Sequence, residues 1–320
     1  MYYDRRVSET LLTELSQGGA LRFLVECARA STVVDLQLRA TPKSTSCRAT
    51  LYVGLTKVLD VHEQGSQFRF SAYTKARHTA GFRPEWAAWV QRDALVSLAP
   101  AVRRYAEGAI GAVADRYLNQ EGRVQGALCS DLFEGFAVFD REAVVGYSTT
   151  DERKQVTSEL FKPYAERIKS IDLPSRPKSL GTKADVMALD PEGRVLVIEV
   201  KPGRELTAIA WSPVQVAFYK ALFATWRDAA GAIASRPVEG MLEQRLRLGL
   251  VRASYPVSPA FQLVPVVAIG TPLHRLARGR LDRALAGLVS DPRTNPGPFE
   301  LWEIDLTGPP TLRREIIDTR

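Results

Sequence analysis

Cysteine and histidine are scarce in this chain of 320 residues, three of each, and the scarcity removes several classes of function at once. Cys27, Cys47 and Cys129 lie too far apart for a disulfide framework or a metal-binding spacing. His62, His78 and His274 are equally scattered and read as surface or satisfied core residues rather than ligands. Long apolar runs are missing too: no stretch of about 18 residues would cross a bilayer as a helix. The opening Met1-Tyr2-Tyr3-Asp4-Arg5-Arg6 lacks the charged-then-apolar layout of a secretory signal, which predicts a cytoplasmic location and no membrane partner. No internal repeat or low-complexity tract stands out.

What remains is the composition of an ordinary globular protein, 45% hydrophobic and 25% charged, long enough for two domains with sizeable cores. A formal net charge of +7 favours a polyanionic partner, because a basic surface gains affinity for nucleic acid by releasing counterions.

The most informative stretch is Ala184 to Lys201. Two apolar runs, Ala184 to Leu189 and Val195 to Val200, flank Asp190-Pro191-Glu192-Gly193-Arg194, a turn sequence, and so predict a hairpin. If Asp190 and Arg194 close a three-residue loop with Gly193 left-handed, Asp185 falls directly opposite Glu199. Like charges so placed destabilise a sheet unless something compensates them, and a divalent cation would. Alternation along the strand puts Glu199 and Lys201 on one face. The apolar run around them implies cover on both sides, where such charges need partners. Hard oxygen ligands beside a lysine suit magnesium or manganese and phosphodiester hydrolysis.

With Asp185, thirteen intervening residues and Glu199-Val200-Lys201, the chain resembles the PD-(D/E)XK nuclease superfamily. Gln215-Val216-Ala217-Phe218-Tyr219 resembles the Gln-x-x-x-Tyr motif of its RecB-like and Cas4-like branch, and the likeness covers roughly residues 150–270. The resemblance implies Asp185 and Glu199 as metal ligands, the Val200 carbonyl as a further ligand and Lys201 as the catalytic lysine. Gln215 and Tyr219 would organise the site or the DNA. Relatives in this branch often hold an iron–sulfur cluster on four cysteines, which three cannot supply, and the upstream histidine common among them has no match between Ala80 and Asp185. Two of these residues also have plainer readings. Ser212-Pro213-Val214-Gln215 fits a capping box that would start a helix at Pro213, and Tyr219 on the same helical face fits a core aromatic.

Upstream, Thr149 to Ser170 reads as a helix opened by the capping box Thr149-Thr150-Asp151-Glu152, with Val156, Leu160, Tyr164 and Ile168 as its apolar stripe. Pro163 is a candidate kink. Glu152, Glu159 and Glu166 lie near one face. The nuclease resemblance calls for one extra acid from this helix, with Glu159 first, Glu166 in reserve and Glu152 as a cap. A solvated helix face is the competing reading for all three. The basic leader Ser175 to Lys183 could hold a phosphate backbone. Further on, helices are expected over about 213–234, then around Arg245, Arg247 and Arg252, and from Leu273 to Val289. Strands are expected from Phe261 to Gly270 and, last, from Phe299 to Leu306.

Residues 1–145 read as an N-terminal α+β module: two short helices within 8–30, a strand over 32–40, and one long hairpin with arms Arg48 to Glu63 and Gln67 to Ala76. A small strand pair is expected over Leu128 to Ser148. Between them a helical pattern runs from Pro84 to about Gln120 with a break near Pro100. Arg69, Tyr73, Lys75, Arg77, Phe82, Arg83, Trp86 and Trp89 interleave cations with rings, which suits stacking on bases and also an ordinary hairpin packed on a helix.

The expected architecture is α/β: a restriction-endonuclease-like core, a central mixed sheet flanked by helices, over 146–320, preceded by that module. The expected activity is magnesium- or manganese-dependent hydrolysis of DNA, in repair, recombination, restriction or anti-phage defence, with a protein partner conceivable through the N-terminal module. An RNA substrate is compatible with the same chemistry. The alternative from another class is a nuclease-like module that binds nucleic acid or protein without cutting.

Overall fold

In the computed structural model, which describes residues 1–40, 46–74, 76, 77 and 81–319, the chain divides into two compact units. Lys75 and His78, both named above, lie outside the described residues.

One unit comprises Asp4–Ala137 and Glu239–Ser254. Helices α1 (Glu9–Leu15) and α2 (Arg22–Arg29) precede an antiparallel meander of β1 (Val34–Ala40), β2 (Ser46–Val53), β3 (Thr56–Gln64), β4 (Gln67–Ser71) and β5 (Val90–Gln91). The expected long arm from Arg48 to Glu63 is two strands, because Gly54 takes a left-handed φ of 53° and turns the chain. Helix α3 (Arg92–Tyr117) runs through Pro100 without the expected break. Pro100 and Val96, whose carbonyl loses its helical partner there, are both exposed, so that carbonyl need not be desolvated. Helix α4 (Gln120–Cys129) occupies sequence that gave little helical signal, since Gly122 and Gly126 weaken it. Those glycines let the helix approach closely: a Cβ would sit 3.1 Å from Gly54 Cα at Gly122 and 2.9 Å from Val33 Cα at Gly126.

The other unit, Met1–Tyr3, Val138–Val238 and Tyr255–Arg320, is built on a six-stranded mixed sheet. Its strands are β6 (Ala137–Ala143), β7 (Ala184–Leu189), β8 (Val195–Lys201), β9 (Leu263–Gly270), β10 (Phe299–Asp305) and β11 (Thr311–Ile317), adjacent in that order. β7 and β8 pair antiparallel, β8, β9 and β10 are parallel, and β11 returns antiparallel. The parallel steps need crossovers, supplied by α6 (Leu206–Ala230) and α8 (Arg275–Val289). Helix α6 packs on β8, β9 and α8, and against α5 (Thr150–Ser170). Every residue of β9 is buried, as an interior parallel strand requires. The remaining helix, α7 (Ser235–Leu248), begins in this unit and ends in the other.

The division of the chain differs from the expected boundary at 145. β6 belongs with the six-stranded sheet because it pairs beside β7, and Leu128 to Ser148 is the end of a helix plus one strand rather than a strand pair. Residues 239–254 return to the N-terminal unit, where Leu248 and Leu250 enter its apolar core. β11 was missed because its residues alternate between half-buried and exposed and carry no apolar run. No helix among the described residues is long and apolar enough to cross a membrane.

Candidate functional site

The β7–β8 hairpin forms as its turn chemistry dictates. Gly193 has φ 75°, its N–H donates to the Asp190 carbonyl at 3.0 Å, and the Asp190 side chain accepts from the Arg194 N–H at 2.8 Å. The resulting register pairs Val186 with Ile198 and Leu189 with Val195, and its next step sets Asp185 opposite Glu199. There the ladder gives way to side-chain chemistry: Asp185 Oδ2 accepts from the Val200 backbone N–H at 2.8 Å.

Glu199 is the centre of the arrangement, only 3% exposed. It hydrogen-bonds the Asp185 side chain and forms an ion pair with the Lys201 ammonium through Oε1. Burial, and after it the charge of Asp185, pushes the Glu199 carboxyl well above the ordinary glutamate range, with Lys201 opposing. A buried Glu199 bonded to the half-buried Asp185 favours a shared proton or a cation between them.

Gln215 and Tyr219 reach the same place from α6. Gln215 hydrogen-bonds Tyr219, and burial followed by the charges of Glu199 and Asp185 raises the phenol above its ordinary range. The tyrosine ring is core, as its plainer reading had it, while its hydroxyl faces the acids. The capping-box reading of Gln215 is overturned: α6 starts at Leu206, and Ser212 and Pro213 lie inside it, buried. Pro213 has no N–H for the Ile209 carbonyl, and Ser212 Oγ donates to that carbonyl instead at 2.7 Å. A serine that repairs a proline gap resembles, in sequence, one that starts a helix.

Glu159, expected as a third acid, does not join. It is exposed and accepts from Gln155 Nε2 at 3.2 Å, one turn back on α5. Glu166 pairs with Arg293 at 2.8 Å. Glu152 does cap, accepting from the Ser148 N–H and from the Met1 ammonium, while its own N–H donates to Thr149 Oγ1. Helix α5 thus presents its acids to water and to its own N-terminus. Among the described residues no three His, Cys, Asp or Glu side chains gather into a metal-holding group.

The donor set nevertheless fits one hard cation. Magnesium commonly keeps several waters and takes one or two carboxylates plus substrate oxygens, and Asp185 with Glu199 is such a pair. Gly181 was missed from the sequence: a Cβ there would lie 2.8 Å from the Tyr219 hydroxyl, so the leader passes the site where a side chain would displace it. Within the leader Lys183 pairs with Glu142 at 3.2 Å, while Arg176 and Lys178 are exposed. Beside Gly181 opens a cavity of about 410 Å³ floored by Phe161 and Phe218 and rimmed by Lys154, Ser158, Ser179 and Thr182.

No protein-family model matches this chain, and no curated protein or solved structure is similar to it. Its chemistry is therefore read from the side chains themselves.

The raised Glu199 carboxyl has a measurable consequence in the metal-free protein. The folded state holds this proton more tightly than the unfolded chain, so its contribution to stability is complete below the unfolded value of about 4.3 and is lost as pH rises toward the folded value. Glu199→Gln, which keeps the shape and a neutral side chain, should flatten that decline in EDTA and melt at or above the parent at neutral pH. Thermal unfolding across pH checks it; a steeper decline in the variant would contradict the burial argument.

Proposed function

We propose that the C-terminal unit is a PD-(D/E)XK-like nuclease domain with a restriction-endonuclease-like core, and that the chain hydrolyses nucleic-acid phosphodiester bonds, DNA first among them, with magnesium or manganese. The observation that carries this reading is the meeting of Asp185, Glu199 and Lys201 on one hairpin with Gln215 and Tyr219 above them. The order hairpin, helix α6, parallel strand β9 supports it, because it places the acids where β8 ends and the crossover begins.

Asp185 and Glu199 would hold the ion. Once bound, it supplies a positive charge at the scissile phosphate and water of lowered pKa. Lys201, its ammonium already beside Glu199, orients the attacking water by hydrogen bonding, and Gln215 fixes the direction of the Tyr219 hydroxyl toward the acidic pair. Water's oxygen adds to phosphorus and gives up a proton to bulk solvent, the bond to the leaving ester oxygen breaks, and that oxygen takes up a proton from solvent. The cavity lined by Phe161, Phe218, Ser158, Ser179 and Thr182, the last two in the leader that precedes Asp185, would take a flanking nucleotide.

The test is incubation with circular and linear DNA, single- and double-stranded, and with RNA, in manganese or in EDTA. Hydrolysis of at least one substrate only with metal is expected; the polymer cut sets the substrate class, and cutting of circles marks an endonuclease. Binding without cutting in both conditions would replace the enzyme by a nuclease-like binding module. The metal also has a reading independent of activity. Manganese at a hundredfold excess over its dissociation constant should stabilise the chain by about 2.7 kcal/mol. An unchanged melting temperature at saturating manganese would reject the cation site.

A further inference from the structure

The five-stranded sheet of the N-terminal unit has one apolar face and one charged face. Leu38, Cys47, Ala49, Val61, Phe68 and Phe70 are buried in the core. On the alternate face the register aligns Arg39 opposite Arg48, Arg48 opposite His62, and His62 opposite Arg69, one residue from each of β1 to β4. The row ends on Trp89, just before β5, whose ring lies 4.8 Å from the Arg69 guanidinium carbon and is 36% exposed. Neighbouring strands are about 4.8 Å apart, so this is a straight line of basic groups roughly 14 Å long terminated by a ring.

Such a line is costly for the sheet alone. Like charges directly opposite each other on adjacent strands destabilise the pair. In this row Arg39 faces Arg48, and His62, flanked by Arg48 and Arg69, contacts Ser71 Oγ at 3.0 Å. Asp60 is the nearby acid on β3, already bonded to Thr50, and it stands 3.7 Å from Arg48 Nε. The Nε atoms of Arg48 and Arg69 are buried and donate to nothing among the described residues. A string of phosphates laid against the partly exposed arginines would neutralise the row, and an exposed indole at its end offers a stacking platform to a base that is not paired.

We infer that the row Arg39, Arg48, His62 and Arg69 with Trp89 binds single-stranded nucleic acid, laid across the strands of the sheet with its backbone on the arginines and a base on the tryptophan. The inference concerns a surface separate from the acidic site and does not require that site to cut.

The experiment measures binding of fluorescein-labelled poly-dT to the full chain carrying Asp185→Asn, in EDTA, as a function of salt. The same measurement is made with Arg48→Gln/Arg69→Gln, with Arg48→Lys/Arg69→Lys and with Trp89→Ala. The glutamine pair should bind more weakly and lower the salt slope by about 1.4, roughly 0.7 for each single-strand phosphate left without its arginine. The lysine pair should keep that slope, and Trp89→Ala should weaken poly-dT by about fivefold or more. Circular dichroism shows whether each variant is folded, and the lysine pair keeps the test decisive if the glutamine pair is not. Parent-like affinity and slope in a folded glutamine pair, or a lysine pair that loses the slope, would overturn the assignment. So would duplex DNA bound as tightly as poly-dT and insensitive to Trp89→Ala. Failure here with metal-dependent cleavage intact leaves the acidic site standing; loss of cleavage in Asp185→Asn with poly-dT binding intact separates the two surfaces the other way.

Discussion

Asp185→Asn and Lys201→Ala should each remove metal-dependent cleavage while leaving a folded protein. The two losses have different origins. Asparagine still accepts the Val200 N–H, which Asp185 Oδ2 now takes at 2.8 Å, so the end of β8 keeps its partner and the fold is spared the 1–3 kcal/mol or so that an orphaned buried donor costs. What disappears is half of the ion's carboxylate set, and the loss should exceed the roughly 10–100-fold that removal of an outer-shell partner produces. Lys201→Ala leaves both acids in place, so manganese should still raise the melting temperature while the rate falls by about 10²–10⁴-fold, the range of a lost proton-handling group. Purified variants assayed side by side for cleavage and for manganese-dependent melting separate the roles. Undiminished cleavage by either variant would reject the assignment, and a Lys201→Ala protein that no longer senses manganese would make the lysine a structural member of the acid cluster.

The second large effect is expected at Arg245, far from any proposed chemistry. This side chain is 1% exposed and donates to the Leu36 carbonyl at 3.0 Å, the Cys129 carbonyl at 3.3 Å and Asp35 Oδ1 at 3.4 Å. Arg245→Met would leave Asp35, itself 2% exposed, buried beside Gln37 without its cation. Removing one partner of a buried pair costs about 3–5 kcal/mol, and for a unit of this size that lowers the melting temperature by roughly 6–20 °C. Arg247→Met is the control two residues on. Its ion pair with Glu9, at 2.7 Å, is solvent-exposed and should contribute less than about 1 kcal/mol. If the two variants melted alike, burial would not be what makes Arg245 matter.

These two sites also mark where the sequence could be read and where it could not. The hairpin was legible because everything that sets it is local: Asp190, Gly193 and Arg194 close the turn, the turn sets the register, and the register puts Asp185 across from Glu199. The basic row on the other sheet depends on the register of four strands, and with Gly54 read as part of one long arm that register could not be written down. Helix α4 was hidden by Gly122 and Gly126, which weaken the helical pattern but are there for packing clearance. The third acid was sought by spacing along α5, and spacing alone does not say which way a helix is turned. Glu159 faces water because Tyr164 and Ile168 are the residues of α5 that are buried. Arg245 carried no signal at all, since an arginine on a polar helix looks like surface until its partners on β1 and α4 are known.

The rim strand β11 has a further consequence. It closes one side of the six-stranded sheet with β10 as its one partner strand among the described residues, so its outer edge is the place where an extended chain could add a strand. Its charges are anchored inward as well as outward: Arg314 lies over the Trp302 ring at 4.6 Å, and Glu315 takes two bonds from Arg278 of α8. Pinned in this way, and with Arg313 3.8 Å from Glu303, the charges of Arg313, Arg314 and Glu315 are held in place along the rim, which discourages fibril-like stacking of copies through it. Neutralising all three should increase self-association, which light scattering would detect.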